Sequence, residues 1–256
     1  MSKIVFFDID GTLLDHEKKL PEKTKKAIQQ LKQSGVYTAI ATGRAPFMFA
    51  QLRAELGIDS FVSFNGQYVV FENKVIHSRP LSKKQLQLLE EEASGKKHPI
   101  VFMNEKTMKS NIPYHPYIEE SLGTLKFPHP EYRPQFYLDR DIYQALLFCE
   151  TGQETYYEEH YPDFRFIRWH DYSVDVLPAG GSKAEGIKRL IAKLGFRIED
   201  VYAFGDGLND IEMIQTAGTG VAMGNALPSV KKYADIVTKD VAENGIFEGL
   251  KMLKLI

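Results

Sequence analysis

The chain opens on a short apolar run, Ile4–Ile9, broken only by Asp8, and such a run reads as a strand buried on both faces. The pattern then changes to a helical period. Over Glu22–Ser34, Ala27, Ile28 and Leu31 share one face, with Pro21 suited to the first turn and Gly35 to the C-terminal cap. Tyr37–Ala41 predicts a strand, Ala45–Leu56 a helix closed by Gly57, and Phe61–Phe64 another strand. Tyr68–Phe71 and Val75–His77 flank Asn73-Lys74 and predict a hairpin.

The same rhythm resumes at Ser182. Ser182-Lys183-Ala184-Glu185 is a capping box, followed by Ile187, Leu190, Ile191 and Leu194 on one helical face and then Gly195. Val201–Phe204, Val221–Met223 and Ile236–Thr238 read as strands, and Asp210–Gln215, Ser229–Tyr233 and Gly245–Leu253 as helices. Strands alternating with helices predict an α/β fold with a doubly wound, mostly parallel sheet covered on both faces.

The middle, Ser82–Gly181, breaks this rhythm. Its strand-like runs, Ile100–Met103, Leu146–Cys149 and Val174–Leu177, are irregularly spaced, and it holds 16 of the 30 aromatic residues. The expected organisation is therefore a core from residues 1–81 and 182–256 with an α+β domain, 82–181, inserted into it. The ends of the insert must lie close together, because both flanks belong to one sheet.

Composition narrows the function classes. At 43% hydrophobic and 26% charged residues the chain is expected to be a soluble globular protein. A net charge of −2 offers no global field for nucleic acid or anionic membrane, and no apolar stretch approaches a signal core or a membrane span, so the cytoplasm is the expected compartment. Cys149, the one cysteine, sits in the apolar run Ala145–Cys149 and is expected to be a buried core thiol. The seven histidines show no HExxH or HxH spacing, which argues against zinc. Neither a GxxxxGK[ST] loop nor a GxGxxG after the first strand is present. Trp169, with Phe164 and Phe166, reads as packing rather than as a base-stacking platform.

Four blocks carry the candidate chemistry. Phe7-Asp8-Ile9-Asp10-Gly11-Thr12-Leu13 places two carboxylates at the end of a buried strand, where unpaired charge is costly and where open α/β sheets bind ligands. Taken alone, Asp-x-Asp-Gly is more often a solvated turn. Ala41-Thr42-Gly43-Arg44 ends the second strand with a hydroxyl and a glycine amide. Gly205-Asp206-Gly207-Leu208-Asn209-Asp210 follows another strand, and its two carboxylates and amide suit a hard, oxygen-preferring cation such as Mg2+. Lys183 lies on the first turn of a capped helix, where the macrodipole disfavours a cation. By itself it reads as a surface lysine, although a phosphate there would satisfy both it and the helix amides.

The ordered set resembles the haloacid dehalogenase-like (HAD) hydrolases, and within them the Cof-type sugar-phosphatase group. The resemblance runs through Asp8–Leu14, Thr42–Arg44, Ser182-Lys183, Gly205–Asp210 and Gly220–Ala226, and the inserted middle is similar to that group's cap. It implies a Rossmann-like core, Mg2+ as cofactor and a small phosphorylated metabolite as substrate. It further implies Asp8 as nucleophile and metal ligand, and Asp10 as general acid–base with its backbone carbonyl on the metal. Asp206 and Asp210 complete the metal site. Thr42, Gly43, Lys183 and Asn209 hold phosphate, and Ile9, Arg44 and Asn65 join them in phosphate or substrate binding. Gln67 and Asn244 depart from the group's usual Asn-Gly-Ala and Asp-Gly patterns.

The residue types fit that chemistry on their own terms. A carboxylate nucleophile is ionised at neutral pH and needs no base, but a phosphate dianion repels it unless a cation bridges them. A second carboxyl can protonate the leaving oxygen and then activate water. A phosphomutase would use the same intermediate, and a phosphorylatable receiver module would share the acidic cluster but lack the insert. No residue pattern names the metabolite or an oligomeric state.

Overall fold

The computed structural model describes Ser2–Ile256, and among these residues two β-sheets organise the chain. The first five strands are β1 (Ile4–Phe7), β2 (Tyr37–Ala41), β3 (Phe61–Ser63), β4 (Tyr68–Phe71) and β5 (Lys74–Ser78). The next five are β6 (Ile100–Met103), β7 (Met108–Ser110), β8 (Gln144–Phe148), β9 (Phe164–His170) and β10 (Ser173–Pro178). The last three are β11 (Val201–Gly205), β12 (Thr219–Ala222) and β13 (Ile236–Val237). One sheet runs β13-β12-β11-β1-β2-β3-β4-β5, and the other runs β7-β6-β8-β10-β9.

In the eight-stranded sheet the pairs from β13 to β3 are parallel, and the β3-β4-β5 edge is antiparallel. Alternation along β1 explains why the run has no polar face. Ile4 and Phe6 join a core layer with Ile187 and Leu190 of the helix Lys183–Leu194. Val5 and Phe7 join the opposite layer with Ile28 and Leu31 of the helix Glu22–Gln33. Each such large apolar side chain contributes about 1.5–3 kcal/mol by leaving water. The expected doubly wound α/β fold is therefore present, and the hairpin accounts for its antiparallel edge.

Several boundaries differ from the periodicity for local reasons. β1 ends at Phe7, so Asp8 and Ile9 already belong to the loop, where Ile9 O accepts from Leu14 N at 2.8 Å. The segment expected as one helix from Ala45 is a 3-10 turn at Pro46–Phe49 followed by the helix Ala50–Leu56. The hairpin turns at Glu72-Asn73, both with positive φ, as a two-residue turn of primed type requires. Asp210 ends a 3-10 turn, and the following helix is Ile211–Thr216.

The chain divides into two compact units. One holds Met1–Arg44, Met48–Ser78 and Ser182–Ile256, and the other holds Ala45–Phe47 and Arg79–Gly181. The second begins at Arg79 rather than Ser82 because Leu81 is buried in its core and donates its amide to Ile142 O at 2.7 Å. That core gathers Leu86, Leu89, Phe102, Tyr137, Leu147, Tyr157 and Val176, and includes Cys149 as a buried free thiol. No helix among the described residues is long and apolar enough to cross a membrane.

Gly66 couples the end of β3 to the start of the helix at Lys183. Its φ is +97°, and a Cβ there would lie 2.1 Å from Ser182 O. Gly66→Ala should therefore cost about 2 kcal/mol or more, from backbone strain and steric overlap together. Urea denaturation of the variant checks this. A stability within about 0.5 kcal/mol of wild type would contradict the close approach.

Candidate active site

The site forms where the strand order reverses. β2 and β3 build away from β1 on one side, and β11 and β12 build away on the other. The loops after β1 and β11 therefore meet at a topological switch point, where open α/β sheets bind ligands. Phe7 pairs with Phe204, so Asp8 leaves β1 beside the turn that carries Asp206.

Lys183 is the centre. Its Nζ donates to Asp8 Oδ1 and to Asp210 Oδ1, each at 2.6 Å. Lys183, Asp8 and Asp210 are 1%, 7% and 0% exposed, so the surface reading of this lysine fails. The capped helix is why. Ser182 Oγ accepts from Glu185 N and starts the helix with Lys183 facing the loops that follow β1 and β11. Asp210 is held in turn by the amides of Asp206 and Gly207, at 3.0 and 2.8 Å on Oδ2. Thr12 Oγ1 donates to Asp206 Oδ1 at 2.8 Å. Gly11 has φ +81°, and a Cβ on it would sit 2.2 Å from Asp206 Oδ2, so the loop can close over this carboxylate only as glycine. Asn225 Nδ2 donates to Gly11 O at 2.8 Å and fixes that loop from β12's side.

A second cluster surrounds Asp10. Arg44 donates to it through Nε at 2.8 Å and through a terminal guanidinium nitrogen at 2.6 Å, and Lys18 Nζ donates at 2.6 Å. The third cluster is the loop after β2. Asn65 N donates to Thr42 O, Arg44 N to Thr42 Oγ1, and the Asn65 side chain packs against Gly43. Asn65 adopts the left-handed conformation, φ 50° and ψ 44°, which asparagine tolerates better than most residues.

The expected residues thus divide. Asp8, Asp206, Asp210 and Lys183 form one buried group, Asp10 and Arg44 a second, and Thr42, Gly43 and Asn65 a third. Asn209 is exposed on the turn next to Asp210. The Ile9 side chain lies in the hydrophobic core, so any phosphate contact there falls to its backbone. Asp10 does not belong to the three-carboxylate cluster of Asp8, Asp206 and Asp210, whose ligand oxygens lie within 4.8 Å of one another. The residue pattern assigns no role to Lys18, Thr12 or Asn225. Thr12 and Asn225 lie within the motif blocks, whereas nothing in the pattern marks Lys18.

The electrostatics define what the cluster lacks. Three carboxylates face one ammonium, a deficit of two positive charges if all are ionised. Burial, with Asp210 alongside, pushes the Asp8 carboxyl up to about 8 despite Lys183. Burial likewise raises Asp206 to about 6, with the Thr12 hydrogen bond opposing. Burial works against the Lys183 charge, but Asp210 and Asp8 outweigh it and hold the ammonium above its ordinary range. For Asp10, burial is outweighed by Arg44 and then Lys18, and its carboxyl stays below the ordinary value. An all-oxygen, doubly negative cluster fits a hard divalent cation.

Fold and site together define an α/β enzyme with an acidic centre at the carboxyl edge of its sheet. Comparison with known proteins supplies the family. The family profile described as haloacid dehalogenase-like hydrolase matches residues 5–250. YkrA of Bacillus subtilis (strain 168), a candidate phosphatase, is 51% identical over 255 residues, covering 100% of this chain and 99% of its own. The crystal structure of a hypothetical protein from Geobacillus kaustophilus HTA426 superimposes with a TM-score of 0.97 at 61% identity, covering 100% of both chains. BT4131, a sugar phosphatase of HAD subclass IIB, superimposes with a TM-score of 0.85 at 28% identity over 99% of this chain and 100% of its own. The chain belongs to the haloacid dehalogenase-like hydrolases.

A pH prediction follows from the two raised carboxyls. In the unfolded chain each returns toward 3.8, so between that value and the folded ones the native protein binds more protons. Their contribution to stability is complete below about pH 4 and is lost as pH rises through about 6 and 8. Denaturant titrations of the metal-free protein should show Asp8→Asn gaining on wild type as pH rises from about 5 to about 8. A hard divalent cation that saturates the cluster should abolish that gain. A gap between the two proteins that narrows with rising pH would contradict the assignment.

Proposed function

We propose that the protein is a Mg2+-dependent phosphatase of small phosphorylated metabolites that works through an aspartyl-phosphate on Asp8. The observation that carries this reading is the buried group of Asp8, Asp206 and Asp210 around Lys183. A bound Mg2+ would be held by Asp8, Asp206 and Asp210, with the backbone carbonyl of Asp10, and would offset the repulsion between a carboxylate nucleophile and a phosphate dianion.

The remaining chemistry falls to the chain itself. A cation held at this group would bring the raised Asp8 carboxyl back to its ionised form, and its oxygen then attacks phosphorus without a base while the ester oxygen departs as its bond to phosphorus breaks. Lys183 stabilises charge on the equatorial phosphoryl oxygens, with the Thr42 hydroxyl, the Gly43 amide and the Ile9 backbone as further donors. Asn209, exposed beside this group, is suited to reach an incoming phosphate. Asp10 protonates the leaving oxygen and then takes a proton from the water that attacks the aspartyl-phosphate, regenerating Asp8. In the ground state Arg44 and Lys18 hold Asp10 ionised. We therefore infer that the acid step requires this clamp to loosen when substrate arrives, with Arg44 turning to the substrate's own charge. The inserted unit selects the leaving group in this reading, and Arg44, Asn65 and Gln67 are the core positions next to consider. Sugar phosphates fit the subclass of the sugar phosphatase BT4131, and the cytoplasm fits the composition.

Two variants separate chemistry from folding. Asp8→Asn should fold and lose several powers of ten in kcat on an aryl phosphate, since its amide neither attacks phosphorus nor binds Mg2+ well. Lys183→Ala should lose activity and also about 3–5 kcal/mol of stability, because it leaves Asp8 and Asp210 buried without their cation. Steady-state kinetics with and without chelator, beside urea denaturation, check both. Turnover by Asp8→Asn within about tenfold of wild type, or full activity in chelator, would refute the reading.

A further inference from the structure

The donors on Asp10 are unevenly spread over its carboxylate. Oδ1 accepts from Lys18 Nζ and from a terminal guanidinium nitrogen of Arg44, each at 2.6 Å. Oδ2 accepts from Arg44 Nε alone among the described residues, at 2.8 Å. Each carboxylate oxygen offers about two acceptor positions, so Oδ1 is filled and Oδ2 keeps one open. Departure of Arg44 would clear Oδ2 entirely and leave Oδ1 still held by Lys18.

The loop that carries Lys18 is built to present it. Asp15 Oδ1 accepts from the amides of Glu17 and Lys19, both at 2.9 Å. Asp15 N donates to Lys19 O and Lys18 N donates to Asp15 O, again at 2.9 Å. These bonds close the turn over residues 15–19 with Lys18 in the left-handed conformation, φ 61°. That region is uncommon for a residue with a side chain and persists where surrounding bonds enforce it. The base of the loop is tied to the Asp10 segment, since Gly11 N donates to Leu14 O at 2.9 Å. Lys18 and Asp10 thus belong to one short cross-bonded segment, whereas Arg44 reaches Asp10 from the loop after β2 and can turn away without disturbing it. The Lys18 and Asp10 side chains are 42% and 38% exposed, so their ion pair adds little to stability and its role is orientation.

We propose that Lys18 is a positioning residue for proton transfer: it holds Asp10 by Oδ1, so that Oδ2, once Arg44 has turned to the substrate, is the oxygen that exchanges protons. This assignment rests on the phosphatase reading. In the first step Oδ2 gives its proton to the leaving ester oxygen. In the second, the oxygen of a water bonds to phosphorus, the bond from Asp8 to phosphorus breaks, and Oδ2 takes the proton of that water, so the protons balance over a turnover. A proton on Oδ1 would compete with the ammonium for the same oxygen. An aryl ester departs without a proton, so with such a substrate the loss of Lys18 falls on the second step alone.

Full-length protein in Mg2+ is turned over with radiolabelled nitrophenyl phosphate and quenched with acid, and the protein-bound label is counted. A chase with unlabelled ester gives the rate at which that label decays. In Lys18→Met the labelled fraction at steady state should rise and decay should slow about tenfold or more, a part of what an oriented general base supplies. The rate of label uptake should change less than about twofold. Lys18→Arg keeps a cationic donor on a stem of similar reach and should restore most of the decay rate. Asp15→Ala, which frees the loop but keeps the lysine, should slow decay to a smaller extent, and adding it to Lys18→Met should change little further. Thermal unfolding verifies the fold of each variant. Decay in Lys18→Met within about twofold of wild type would overturn the positioning role, as would equal slowing of uptake and decay, which marks general damage to the site. A wild type that hydrolyses no ester would refute the phosphatase reading and this role with it, whereas an active wild type beside an indifferent Lys18→Met refutes the role alone.

Discussion

A single buried ammonium organises the catalytic edge of this protein. Lys183 stands between Asp8 and Asp210 at 2.6 Å from each, in a place where none of the three could remain charged alone. Each residue comes from a different part of the sequence: the loop after β1, the first turn of the helix Lys183–Leu194, and the turn after β11. The ion pairs are therefore a condition on the fold as well as on the chemistry. The sheet must bring β1 and β11 side by side, and the helix must start at Ser182, before the lysine can be satisfied.

The backbone is shaped to permit this convergence. Gly11 closes over Asp206, Gly66 meets the carbonyl of Ser182, and Gly205 leaves no room for a Cβ against Asp210. Three glycines thus let the loops approach until carboxylates, amides and ammonium share one small volume. The remaining charge deficit is what a divalent cation would fill. The same edge separates two carboxylates with opposite electrostatics. Asp8 is raised by burial and by Asp210, whereas Arg44 and Lys18 keep Asp10 low. Environments that push two neighbouring carboxyls apart are how one site assigns a nucleophile and an acid–base.

Much of this is legible in the residue pattern, because buried parallel strands and capped helices are strongly periodic. The runs at Ile4, Tyr37 and Val201 mark strands whose ends carry the motifs, and the Ser182 capping box marks the helix that presents the lysine. Lys183 taken alone reads wrongly, since a cation on a first helical turn is ordinarily exposed and only tertiary contact with distant carboxylates reverses that. Lys18 gives no signal, as its role depends on a loop conformation with φ 61°. The segment Ala45–Leu56 reads as one helix because its composition is helical throughout, but Pro46 and the change of unit at Ala45–Phe47 break it.

The central claim is that the Asp8 carboxylate, freed from repulsion by a cation and steered by Lys183, takes the phosphoryl group. The most direct measurement quenches the enzyme with acid during turnover of a phosphate ester in Mg2+, reduces any acyl phosphate with borohydride, and maps the peptides by mass spectrometry. The account predicts homoserine in place of Asp8, absent without substrate or in the presence of chelator. Reduction at another carboxylate, or an unmodified Asp8 under conditions where product accumulates in a burst, would contradict it.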